Sequence, residues 1–277
     1  MADFDVCSTF CLIVLAVTFL WTFIGRRWEL KTLALAMFFP GLTAITFEIG
    51  NIHDFIRHVL GLGSHHGKVY THDIKQVFSI ITMSLASVGI VMVTLCLCAL
   101  WNIVIGWGTV SKARRFITCF SSVHEHNKFP IVGFLRAAGE EIGWRCYLLP
   151  CLMSSYTTPI ALAVSGLIWG LYHVPVMIVL SWRLNVRQPW LTVLIQCLSV
   201  AVLAFPHGWV SIRSGSAFWA PTVMHFTWNM LNPAVFGSIY TNTPGYIVGK
   251  QWLINGEGLA GIIVGVPIAL LVAWDLS

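Results

Sequence analysis

Eight apolar runs divide the chain, near residues 7–24, 33–52, 76–107, 130–152, 157–182, 189–212, 217–238 and 252–274. Within them the apolar positions are continuous and do not alternate every second residue, which predicts helices and argues against a β-barrel. Most are long enough to cross a bilayer as a helix. The third exceeds what a bilayer needs and can tilt or extend beyond it. The pattern therefore predicts an all-α fold, a polytopic transmembrane bundle of about eight helices. The longest polar interruptions fall at about 53–75 and 108–129. The first carries His53, His58, His65, His66 and His72 and reads as a solvated loop, with adventitious metal binding as the alternative.

Composition supports the membrane assignment. Of 277 residues, 57% are hydrophobic and only 10% charged, and the mean hydropathy is +0.80. A soluble domain carries about a quarter charged residues. The chain is thus expected to be an integral, multi-pass membrane protein with the lipid bilayer as a partner. The first run is preceded by Asp3 and Asp5 and followed by Arg26-Arg27, the reverse of a cleavable signal peptide, so it reads as a retained span. The net charge of +5 comes from basic residues at the ends of apolar runs, in no block long enough for a nucleic-acid patch, and no nucleic-acid partner is expected. If all eight helices span and the Arg26-Arg27 loop is cytosolic, the cytosolic ends hold ten Lys and Arg residues and the opposite ends four (Arg57, Lys68, Lys75 and Arg213). That asymmetry favours this orientation, with both termini outside the cytosol. The eight Cys form no repeated CxxC pair and read as small apolar core residues. Acylation of Cys7 and Cys11, near a membrane boundary, is the alternative.

Ionisable residues inside apolar runs change the picture, because in a membrane they are costly and mark function or pairing. One run reads Gly139-Glu140-Glu141-Ile142-Gly143-Trp144-Arg145, another Trp169-Gly170-Leu171-Tyr172-His173, and a third His225-Phe226-Thr227-Trp228-Asn229. On a helix Glu141 and Arg145 share a face, while Glu140 is rotated by about 100° from its neighbour. Arg145 can neutralise Glu141 and leave Glu140 free as a general base near mid-membrane. A purely structural ion-pair knot is the alternative. Gly166 and Gly170 allow close helix packing that could bring His173 towards Glu140. His225 and Asn229, four apart, present two donors that could form an oxyanion hole or a packing clamp. Assembled, these residues make a hydrolytic site: Glu140 and His173 deprotonate water, and His225 and Asn229 hold the developing negative oxygen. No cofactor is expected. Zinc on Glu140, His173 and His225 is the alternative, although the His-Glu-x-x-His pattern is absent.

At these residues the chain resembles the CPBP family of intramembrane proteases, which includes CAAX proteases and Abi proteins. That family shows Glu-Glu-x-x-x-Arg, then an aromatic residue shortly before a His, then His-x-x-x-Asn. The matching residues here are Glu140, Glu141 and Arg145; Trp169 and His173; and His225 and Asn229. The stretch Arg213 to Trp219 is similar as well. The resemblance covers about residues 130–232. It implies a helical catalytic core there, with membrane helices lacking any motif over 1–129 and a C-terminal membrane helix over 233–277, all in one integrated bundle. It implies an endopeptidase with Glu140, His173, His225 and Asn229 as catalytic residues, Glu141 and Arg145 ordering the site, and a peptide or protein substrate, possibly a prenylated CAAX C-terminus. For a eukaryotic CAAX protease the membrane would be the endoplasmic reticulum. Two departures bear on specificity. Ile142-Gly143-Trp144-Arg145 stands where eukaryotic prenyl-protein endopeptidases carry a Leu-Val-Phe-Arg-like run, and Trp169 replaces the commoner Phe. A non-catalytic scaffold or immunity protein with the same fold is the alternative function.

Overall fold

In a bilayer a continuous apolar segment can satisfy its own backbone groups only as a helix, and all eight runs are helical in the computed structural model. It describes residues 2–62, 74–126, 130–241 and 243–277. The helices are α1 (Ala2–Ile24), α2 (Leu30–Leu33), α3 (Phe39–Phe47), α4 (Ile52–Leu60), α5 (Ile74–Ile105), α6 (Phe116–His126), α7 (Pro130–Glu141), α8 (Leu149–Met153), α9 (Thr158–Arg183), α10 (Pro189–Arg213), α11 (Trp219–Phe236), α12 (Gln251–Ile254) and α13 (Leu259–Asp275). Among the described residues, six helical stretches are long and apolar enough to cross a membrane: 5–24, 30–47, 74–105, 158–183, 189–213 and 251–275. The other two runs became α7–α8, which carries Arg136, Glu140, Glu141 and Arg145, and the 18-residue α11. The polar motifs are what lowers their apolar character.

The structure departs from the simple eight-helix reading in several places, including a break in run 252–274 between α12 and α13. Run 33–52 is broken rather than continuous: α2 passes through a 3-10 turn at Ala34–Phe38 into α3, with Pro40 at its first turn. Proline has no N–H to donate, so the regular ladder stops there. Run 130–152 changes from α to π geometry at Ile142–Leu148, where the Leu149 N–H reaches the Trp144 carbonyl five residues back. Pro150 cannot close the usual bond to Cys146, and the wider coil bridges that gap. The polar interruptions are not wholly loops, since α4 carries His53 and His58 and α6 occupies 116–126. His65, His66 and His72 lie outside the described residues. Finally, Cys7 and Cys151 form a disulfide across 144 residues, with Cα atoms 6.1 Å apart. Sequence spacing could not reveal this pair. It corrects the reading of those two cysteines as core thiols and removes Cys7 as an acylation candidate.

Two short antiparallel ribbons tie the connecting loops: β1 (Gly108–Val110) with β4 (Ile247–Gly249), and β2 (Gly237–Ser238) with β3 (Thr243–Pro244). Large side chains such as Leu12, Leu85 and Leu270 are exposed on the outer helix faces, where lipid would cover them. Inside, Phe10 and Trp144 are fully buried and meet edge-to-face at 6.1 Å, and Phe10 lies 4.8 Å from Tyr147.

Glycine sets the closest helix approaches. A Cβ on Gly166 or Gly170 of α9 would lie 2.5 Å from the carbonyl oxygens of Ala201 and Cys197 on α10. A Cβ on Gly139 of α7 would lie 2.8 Å from the Met37 oxygen, and one on Gly41 would lie 2.6 Å from the Gly139 oxygen. The broken second run is therefore clamped backbone to backbone on the helix that carries the paired glutamates. Gly139→Ala should force these backbones apart and destabilise the fold by about 1–3 kcal/mol. Denaturation in detergent micelles checks this; an unchanged midpoint would show that the clamp is not tight.

Candidate active site

The three motif-bearing segments converge around the indole of Trp169. Its Nε1–H donates to Glu140 Oε2 at 2.7 Å, and its backbone carbonyl accepts from His173 Nδ1 at 2.7 Å. The Arg145 guanidinium sits 3.9 Å from the ring centroid, a cation–π contact. The rings of His173 and His225 meet it edge-on at 5.8 and 5.7 Å.

The two adjacent glutamates have separate surroundings. Glu141 is fully buried. Its Oε1 accepts from His225 Nδ1 at 2.7 Å and from Arg145 Nη1 at 3.3 Å. Arg145 Nη1 is also 3.2 Å from Oε2, close enough for charge pairing but not aligned for a hydrogen bond. Glu140, one position earlier, turns into a cavity of about 500 Å³. Its carboxylate lies in no ion pair among the described residues, with the Trp169 indole as its donor.

Hydrogen bonding fixes the ring nitrogens. A backbone carbonyl only accepts, so His173 Nδ1 carries a proton, and in the neutral ring it is Nε2 that holds the lone pair. His173 is half-buried and lines the cavity. His225 gives Nδ1 to Glu141, leaving Nε2 as its other polar atom. For Nε2 to donate, His225 and Glu141 must together hold two protons, one between Nδ1 and Oε1 and one on Nε2. Asn229, one turn along α11, lines the same cavity. Glu140, His173, His225 and Asn229 thus face one space, while Glu141 and Arg145 lie behind it. Among the described residues no group of three His, Cys, Asp or Glu side chains is arranged to hold a metal ion.

Two buried polar residues escaped the sequence reading. His207 on α10 lies edge-on to Trp169 at 5.2 Å and to His225 at 6.0 Å. Its Nδ1 is 2.8 Å from the Leu203 carbonyl, and its buried Nε2 has no hydrogen-bond partner among the described residues. As a lone ionisable residue in an apolar run, His207 carried the same signal as His173. Glu257, in the turn between α12 and α13, also lines the cavity. It accepts from Trp228 Nε1 at 3.0 Å, Gln196 Nε2 at 2.8 Å and the Tyr240 hydroxyl at 3.4 Å. No spacing pattern links these four residues in sequence.

Residues 125–231 match the family described as type II CAAX prenyl endopeptidase, Rce1-like. The match covers less than half of the chain and contains every motif residue above. No curated protein matches the chain. Residues 125–231 form an Rce1-like domain within a multi-pass helical membrane bundle.

The two glutamates should differ in what they do for stability. Glu141→Gln leaves the buried Arg145 without a carboxylate, and breaking a buried pair from one side costs about 3–5 kcal/mol. Glu140→Gln keeps an oxygen acceptor for Trp169 and should stay within about 1 kcal/mol of wild type. Equal losses on unfolding the two variants in the same detergent would contradict this division.

Proposed function

We propose that this Rce1-like chain is an intramembrane endopeptidase that uses a glutamate-activated water and no metal. The observation that carries the reading is the common cavity faced by Glu140, His173, His225 and Asn229, with Trp169 holding the first two. Glu140 takes a proton from water, with the lone pair of His173 Nε2 as a second acceptor. The resulting hydroxide adds to the peptide carbonyl carbon. Negative charge then develops on the carbonyl oxygen, where Asn229 Nδ2 and His225 Nε2 donate. Glu140 returns its proton to the amide nitrogen, the C–N bond breaks to give a carboxylic acid and an amine, and the acid's proton passes to the amine as the two leave as carboxylate and ammonium.

Prenylated CAAX C-termini are the substrate class favoured by the Rce1-like match. The cavity supports it chemically, since Leu33, Met37, Val176 and Phe226 give it an apolar side beside the polar groups. Glu141 and Arg145 act as positioning residues. Arg145 neutralises Glu141, and Glu141 fixes the His225 ring so that Nε2 faces the reaction.

Glu140→Gln should abolish cleavage of a farnesylated CAAX peptide while the protein still folds, and near-normal turnover would defeat the mechanism. Chelation should leave wild-type activity in place. Loss of activity together with a stoichiometric zinc ion, restored by adding zinc, would replace this reading with a metal-dependent one. Asn229→Ala should lower kcat about 100- to 1,000-fold with little change in KM, because the charge it meets exists only in the transition state. A raised KM with unchanged kcat would make Asn229 a ground-state binding residue instead.

A further inference from the structure

Two cationic side chains line the cavity among its described residues, Lys31 and Arg136. Lys31 is already engaged. It lies 2.8 Å from Glu29, and its hydrogen bond and charge hold the Glu29 carboxyl below the usual carboxylate range. Arg136 has no carboxylate within ion-pair distance among the described residues. Its Nη2 donates to the Lys31 backbone carbonyl at 3.0 Å, which anchors one end of the guanidinium. Its Nε is buried and has no hydrogen-bond partner among the described residues. A half-buried guanidinium in a cavity, anchored at one end and with no carboxylate partner among the described residues, is suited to a planar anion.

Position says which anion. Arg136 is four residues before Glu140 on α7, so the two share a helix face and stand about 6 Å apart along its axis. In the CAAX substrate proposed above three residues follow the modified cysteine, and cleavage directly after that cysteine would place the terminal carboxylate about 10 Å beyond the scissile bond when extended. One helical turn plus the length of an arginine side chain suits that span.

We propose that Arg136 binds the C-terminal carboxylate of the substrate, so that the enzyme measures the distance from the scissile bond to the end of the chain. The proposal rests on the endopeptidase reading above for the identity of the scissile bond. It assigns a specificity role to a residue that lies outside the three motifs.

The test uses one farnesylated peptide with three residues after the modified cysteine, prepared as the free acid and as the C-terminal amide. kcat/KM is measured for wild type, Arg136→Gln and Arg136→Lys in one detergent. Wild type should prefer the acid by about 10- to 100-fold, the worth of a charge-assisted hydrogen bond. Arg136→Gln should bring the acid-to-amide ratio close to one, and Arg136→Lys should restore part of it. A wild-type ratio near one, or a ratio that Arg136→Gln leaves unchanged, would overturn the proposal. A second measurement separates it from the endopeptidase reading. Affinities of the full-length protein and of Arg136→Gln are compared for acid and amide analogues whose scissile nitrogen is methylated. If wild type cleaves neither peptide, the protease reading fails, and the affinity ratio still decides whether Arg136 holds a carboxylate.

Discussion

The Trp169 indole is the contact on which the site depends. Its N–H fixes the Glu140 carboxylate, its carbonyl sets the His173 tautomer, and its face takes the Arg145 charge. Phenylalanine in its place would keep the ring contacts but not the bond to Glu140. A carboxylate in the middle of a helical bundle has few neighbours able to donate to it. The indole supplies one donor without bringing a second formal charge. Arg145 meanwhile spends its charge on Glu141, one layer behind. The site thereby separates a buried ion pair from a carboxylate that faces the cavity.

Irregular backbone makes this arrangement possible. Gly139 and Gly143 let the broken second segment approach the glutamate-bearing segment to backbone contact. The π segment follows directly after Glu141, and its residues from Gly143 to Leu148 are all buried. Such backbone survives at membrane depth because protein covers it on every side. The 3-10 turn of the second segment lines the cavity through Ala34, Ala36 and Met37, so that departure from regular helix and the polar groups occupy the same part of the bundle.

Much of this was legible in the sequence. Continuous apolar runs identify helices by hydropathy alone, and Glu140, Glu141, Arg145, His173, His225 and Asn229 stand out because polar residues in such runs are few. The split between the glutamates follows from helical rotation, and the Glu141–Arg145 pair from their four-residue spacing. The remainder depended on contacts between distant segments. Nothing near His225 indicates that its Nδ1 meets Glu141, and nothing near Trp169 indicates that its indole reaches Glu140. Glu257 is recognised by Gln196, Trp228 and Tyr240 from three different places in the chain. The break at Pro40 and the π segment before Pro150 had a visible cause in proline, yet the number of residues affected was set by packing.

The Cys7–Cys151 bond bears on sidedness. It joins the start of α1 to α8, so these two ends lie at the same face of the membrane. Disulfides persist in oxidising compartments and are rare where glutathione keeps thiols reduced. The opposite end of α1 leads to Glu29 and Lys31. Those two residues line the cavity. The bond and this side of the cavity thus stand at opposite ends of α1, so reducing the disulfide would act on the bundle at a distance from the polar site.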